Sequence, residues 1–253
     1  SFPLTFSLTA LMAGKAKTTI EATIQSVKVT RTGRSGSRTK KDAAEYAAGR
    51  KFRIGVWPNG MIEDPNQLDE LIRDIGTKAF RQDPRQGRIK EPDMIGDFVV
   101  TQWFLWDSIS SIENPSQGVS EGQSWTSQLS VPAPMVMRKA RDVTYTLKEI
   151  RPGPQGPLAV IDSKYTAAES APRSWPIPYS GRFQMAGTFG FLSGYKLLEI
   201  EGDGEELFNM ATGRTQQYNQ RYQMKLQAFI PLGIDAKPLI TISQNISMTR
   251  LGN

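Results

Sequence analysis

The 253 residues carry 31 lysines and arginines against 25 aspartates and glutamates, a formal net charge of +6, and include neither histidine nor cysteine. The missing imidazole removes the Ser-His-Asp triad, the histidine general base and the histidine zinc or haem site, and the missing thiol removes cysteine nucleophiles, thiolate zinc sites and iron–sulfur clusters. With 38% hydrophobic and 22% charged residues, the composition is that of a globular chain long enough to bury a core without staples.

Along the chain, the dominant signal is alternation of apolar and polar residues. Leu4, Phe6 and Leu8 alternate with Thr5, Ser7 and Thr9. Ile20, Ala22 and Ile24 share one phase, whereas Val27 and Val29 fall out of it. One inserted residue moves every later side chain to the opposite face, so the shift predicts a β-bulge at Gln25–Ser26. The run Arg31, Arg34, Arg38, Lys40 and Lys41 contains no acid and is interleaved with glycine and serine. It predicts a flexible basic loop over 33–48, with those five cations as the candidate contact for an anionic surface. No aromatic side chain interrupts the run, and nucleic acid is not expected as a partner.

Two helices are expected in mid-chain. Asp64-Pro65 has the form of a helix start, and Leu68, Leu71, Ile72, Ile75 and Ala79 make an apolar stripe behind it. Pro92-Asp93 opens a second helical pattern that Asn114-Pro115 ends. That second pattern holds Phe98, Trp103, Phe104 and Trp106. Aromatics on more than one side of a helix point to deep burial or to a groove, so these four are the candidate apolar groove or interface. No apolar run reaches the roughly 18 residues of a membrane-spanning helix.

Strand patterns then resume. Val143, Tyr145 and Leu147 alternate with Thr144, Thr146 and Lys148, and the Pro/Gly-rich stretch 151–157 predicts a hairpin to Leu158–Tyr165. Phe183, Met185, Phe189 and Phe191 suggest a further strand. Leu197–Ile200 suggests a short one, ended by the acidic turn Glu201-Gly-Asp-Gly204. Tyr218, Tyr222, Met224, Leu226, Ala228 and Ile230 form one face of a long strand. After a loop at 231–238, Ile240, Ile242, Ile246 and Met248 form the matching face of another. Strands with one dry and one wet face belong to antiparallel sheets. The expected fold is therefore mostly β (α+β). A single domain over 1–253 carries a long curved antiparallel sheet or half-open barrel, with two central helices packed on its dry face.

Few chemistries remain. There is no phosphate-binding loop, dinucleotide fingerprint or Gly-x-Ser-x-Gly elbow. Ser37-Arg-Thr-Lys40 and Ser193-Gly-Tyr-Lys196 match Ser-x-x-Lys, but the companion motifs of that enzyme class are absent. Asp93 and Asp97 stand four apart, as a pair of catalytic carboxylates on one helix face could, but acids at a helix start also complement the dipole. Glu201, Asp203, Glu205 and Glu206 are mis-spaced for a calcium loop. No catalytic residue, metal ligand or cofactor is predicted.

The layout of strands over 4–29, helices near 65–80 and 92–112, and strands to Met248 resembles the half-open β-barrels of lipoprotein-carrier-like and secreted bacterial envelope proteins. That resemblance implies a periplasmic or secreted location, with a lipid anchor upstream of Ser1 one form of it. It also implies a non-catalytic binding protein that holds a hydrophobic ligand or lipidated envelope partner between sheet and helices. The absence of cysteine is consistent with an oxidising compartment. The main alternative is a structural or assembly subunit acting through its surface, followed by a carboxylate-dependent hydrolase. Oligomeric state is not readable from the pattern.

Overall fold

The computed structural model describes residues 4–13, 18–28, 43–56, 62–63, 66–79, 118–131, 133, 139–169, 194–230 and 236–251. The chain groups into two compact units. The first contains a four-stranded sheet and a helix, and the second a six-stranded sheet. Both sheets are antiparallel meanders in which each strand pairs with its neighbour in sequence.

In the first unit, β1 (Leu4–Ala13), β2 (Thr18–Val27), β3 (Lys51–Val56) and β4 (Ile62–Glu63) lie in that order. The bulge predicted from the phase change is present: Thr5 pairs with Ser26 and Phe6 with Ile24, which leaves Gln25 as the extra residue. A second shift between Ala10 and Met12 is not foreshadowed by the hydrophobic pattern. Ala22 and Ile24 are fully buried, whereas Glu21 on the alternate face meets Lys51 and Arg53 of β3 at 3.4 and 3.1 Å. A short 3-10 helix (Ala43–Ala47) buries Ala44 and Ala47. The α-helix α1 (Asn66–Ala79) lies against β3 and the 3-10 helix, with Leu71, Ile72 and Ile75 buried as the stripe predicts. An Arg50–Asp74 ion pair at 2.7 Å ties the helix to the entry of β3.

The helical expectation needs correction. Among the described residues there is one α-helix, not two, and it belongs to the unit of the four-stranded sheet. Residues 92–112, on which the second helix was expected, lie outside the described residues, as do the strand expected at 183–191 and all but the end of the loop 33–48.

The second unit is built from β5 (Ser124–Ser130), β6 (Ala140–Arg151), β7 (Leu158–Ala167), β8 (Gly194–Asn209), β9 (Arg214–Phe229) and β10 (Leu239–Thr249). Its order is β10-β9-β8-β7-β6-β5, and β5 and β10 are not paired with each other. The sheet is thus open and not a closed barrel. The predicted β6–β7 and β9–β10 pairs are both present. One face is dry: Val143, Tyr145, Leu147, Ile200, Met224, Leu226 and Ala228 are all buried. The opposite face is a lawn of cross-strand polar pairs. Asp203 meets Arg221 at 2.8 Å, Glu199 meets Lys225 at 2.6 Å, and Gln128 donates to Asp142 at 2.8 Å. Each pair joins register partners, which is how a solvated face helps to hold strand alignment.

At one end of the sheet, Asn209 fastens two hairpin tips together. Its side-chain nitrogen donates to the Gln155 carbonyl at 3.1 Å, and its oxygen accepts from the Thr212 amide at 2.9 Å. Asn209 is buried, so both halves of its amide need these partners.

Candidate functional site

The sequence-predicted site residues do not come together in the described structure. Phe98, Trp103, Phe104 and Trp106 lie outside the described residues, as do Arg31, Arg34, Arg38, Lys40 and Lys41. Asp93 and Asp97 are likewise outside.

The structure instead draws attention to β8. The pattern Glu201-Gly-Asp-Gly204 suggests a turn, but β8 runs straight through it for sixteen residues. Gly202 and Gly204 are on the dry face, where they leave a trough. A Cβ on Gly204 would stand 2.7 Å from both the Ser163 and Tyr165 hydroxyl oxygens, and one on Gly202 would stand 2.5 Å from the Tyr222 Cβ. The glycines are there because side chains from β7 and β9 occupy the space above them, a recognised role for glycine inside a strand. The tandem Gly-x-Gly is the only trace of this in the sequence, and it reads equally well as a turn.

A hydrogen-bonded cluster fills the trough. Ser163 and Tyr165 share a hydrogen bond of 2.8 Å, and the Tyr165 and Tyr218 hydroxyls stand 3.0 Å apart. Both phenols also donate to Oε1 of Gln220, Tyr165 at 3.3 Å. Arg141 is buried beside this group, with its guanidinium carbon 5.4 Å from the Tyr165 ring centroid and Nη1 donating to the Ser130 carbonyl. Burial, reinforced by the neighbouring Tyr165, holds the Tyr218 phenol well above the usual tyrosine range, while the Arg141 charge pulls against that rise. A phenol so disposed remains neutral and acts as a hydrogen-bond donor, not as a base.

Glu206 stands opposite Tyr218 in the β8–β9 register and Ile161 in the β7–β8 register. By strand register it is the one carboxylate on the dry face among the described residues of this sheet: Asp142, Asp162, Glu199, Glu201, Asp203 and Glu205 all take the other phase, and Glu149, which would share the phase of Leu147, is carried off it by the register shift between them and is exposed. Two carboxyl groups in one cleft, the minimum equipment of glycoside hydrolysis, are therefore not assembled on this face among the described residues. Nor do three acidic side chains gather anywhere among the described residues in a way that could hold a metal ion.

Burial pushes the Glu206 carboxyl above its ordinary range, and the hydrogen bond from the Thr215 hydroxyl acts in the opposite direction. A raised folded-state pKa gives a contribution to stability that is full below the unfolded pKa and lost as pH rises through the folded one. Glu206→Gln, which keeps the acceptor for Thr215 but cannot ionise, is expected to be more stable than the parent at about pH 8 and no more stable at about pH 4. Thermal melts of both proteins at the two pH values check this. An equal difference at both would show that ionisation of Glu206 is irrelevant.

The second distinctive feature is the pair of sheet edges. β6 to β9 carry all the charge of the six strands, and the outer strands β5 (Ser-Trp-Thr-Ser-Gln-Leu-Ser) and β10 (Leu-Ile-Thr-Ile-Ser-Gln-Asn-Ile-Ser-Met-Thr) carry none. Neither contains proline, and each runs against its single neighbour with no register shift. At the ends of β10, Leu239 is 71% exposed and Met248 50%. Monomeric proteins usually blunt such edges with lysine, proline or a bulge, because unpaired backbone groups are a template for another strand.

No family model, curated protein or solved structure matches this chain.

Proposed function

We propose that the chain is a non-catalytic assembly subunit that joins its neighbours through the edges of its six-stranded sheet. The observation that carries this reading is the distribution of charge across that sheet. Every interior strand is charged, and both edges are uncharged, straight and unpaired among the described residues. This is the reverse of the pattern that keeps a sheet solitary, and it suits strand addition, in which main-chain hydrogen bonds supply affinity and alternate side chains supply register. Among the described residues, the lone dry-face carboxylate and the neutral Tyr218 phenol give little support to a hydrolase. A hydrophobic ligand held against the sheet would have to avoid the trough at Gly202 and Gly204, which the protein's own tyrosines occupy.

A photo-crosslinking residue placed at Thr241 on β10 or Thr126 on β5 should trap an adjoining chain in the cells that make this protein. The same residue at Thr144, on interior strand β6, should trap none. Crosslinks from all three positions alike, or from none, would count against edge-mediated assembly whatever the partner.

A further inference from the structure

We infer that the partner at β10 is a second copy of this chain, docked antiparallel so that one sheet continues across both copies with Gln244 on the two-fold axis. This rests on the edge-assembly reading and specifies its occupant.

An edge strand that meets its own copy about a two-fold axis must be self-complementary, because each residue faces the one equally far from the centre. β10 meets that condition about Gln244. On the half-buried face Ile242 falls opposite Ile246, and Ile240 opposite Met248. On the exposed face Ser243 falls opposite Asn245. Thr241 falls opposite Ser247, so from 240 to 248 apolar residues meet apolar ones and polar residues meet polar ones, and only the end pair Leu239–Thr249 is mixed. With no charge in β10, no like-charged pair is created anywhere in this register, although the chain as a whole carries +6. An unrelated acidic or basic partner would find no complementary charge on this strand. A one-residue slip would set the dry residues of one copy against the wet residues of the other, and moving the axis to Ser243 or Asn245 would set Gln244 against Ile242 or Ile246, so the axis at Gln244 is the best matched of these. Exposed Met248 gains cover from Ile240 of the second copy, which gives its exposure a reason.

The test uses charge placed on the exposed face of the full chain. Light scattering after size exclusion should give twice the chain mass for the parent. Ser243→Lys with Asn245→Lys puts lysine against lysine at two symmetric positions, and the dimer dissociation constant should rise on the order of tenfold. Ser243→Lys with Asn245→Glu puts lysine against glutamate at both positions and should restore the dimer. Circular dichroism melts establish that all three proteins are folded. Rescue is specific to the two-fold register, because on the exposed face of β5 a docked strand meets only the uncharged Ser124, Thr126 and Gln128. A parent that is monomeric, an oligomer indifferent to the double lysine, or a failure of the lysine–glutamate pair to rescue would each overturn the proposal. A monomeric parent whose Thr241 position nevertheless crosslinks to a different protein would overturn the second copy and leave edge-mediated assembly standing.

Discussion

Gly202→Ala is expected to lower the stability of the six-stranded unit by about 3 kcal/mol, a large effect for the addition of one methyl group. An added Cβ would stand 2.4 Å from the Arg221 carbonyl oxygen, 2.5 Å from the Tyr222 Cβ and 2.8 Å from the Tyr222 Cα. Two of these are backbone atoms and the third is attached directly to backbone, so no flexible side chain can swing away. The strands β8 and β9 would have to separate at the point where Gly202 pairs with Tyr222. Buried Tyr222 would move with them and weaken its hydrogen bond to Gln244 on β10. The proper comparison is Gly194→Ala at the start of the same strand, where the new methyl would meet only the Phe229 ring at 3.8 Å. Urea denaturation of the two variants should give a clearly lowered midpoint for the first and a change within about 0.5 kcal/mol for the second. Equal midpoints would show that the trough above β8 is not closely packed.

Arg141→Ala should be at least as damaging, with an expected loss of about 3–5 kcal/mol. Arg141 is 1% exposed, and its guanidinium both donates to the Ser130 carbonyl and stacks on Tyr165. Truncation leaves a side-chain-sized void, strands the Ser130 carbonyl and removes a cation from the face of an aromatic ring. Arg141→Lys should lose less, about 1–2 kcal/mol, because it keeps the charge and most of the stem but cannot reproduce a planar group. The order parent, lysine, alanine is the measurable outcome. If lysine proves as costly as alanine, the planar group and not the stem or the charge carries the contribution. The Tyr218 phenol offers a second readout, since removal of the Arg141 charge should move its ultraviolet titration further upward.

Both predictions concern residues whose importance the linear pattern conceals. Arg141 precedes the alternation Val143, Tyr145, Leu147 in the same phase, so the pattern places it on the dry face. Sequence reasoning passes over it because arginine ordinarily lies at the surface. What holds it inside is a carbonyl eleven residues earlier and a ring twenty-four residues later, contacts that exist only once β5, β6 and β7 are aligned. The glycines of β8 mislead in the opposite direction. Gly-Asp-Gly flanked by acids is good turn chemistry on local grounds. It becomes strand because nine β7 residues on one side and fifteen β9 residues on the other pair with β8 along its length. The vacant side-chain positions are then filled by neighbours that local sequence cannot identify.

The sequence by itself determined the antiparallel class, the wet and dry faces of β6, β9 and β10, the β6–β7 hairpin and the bulge at Gln25. All of these are local consequences of a period-2 pattern, in which a single inserted residue is visible as a change of phase. It also removed histidine and cysteine chemistry outright, since a side chain that is absent cannot be supplied by folding. Only the tertiary structure decided strand order, the division into two units, the placement of α1 against β3, and the tyrosine cluster above Gly202 and Gly204. Edge status belongs to that second group. The uncharged composition of β5 and β10 is plain in the sequence, but it acquires meaning only when strand order leaves those two at the margins of the sheet, with no strand on their outer sides among the described residues.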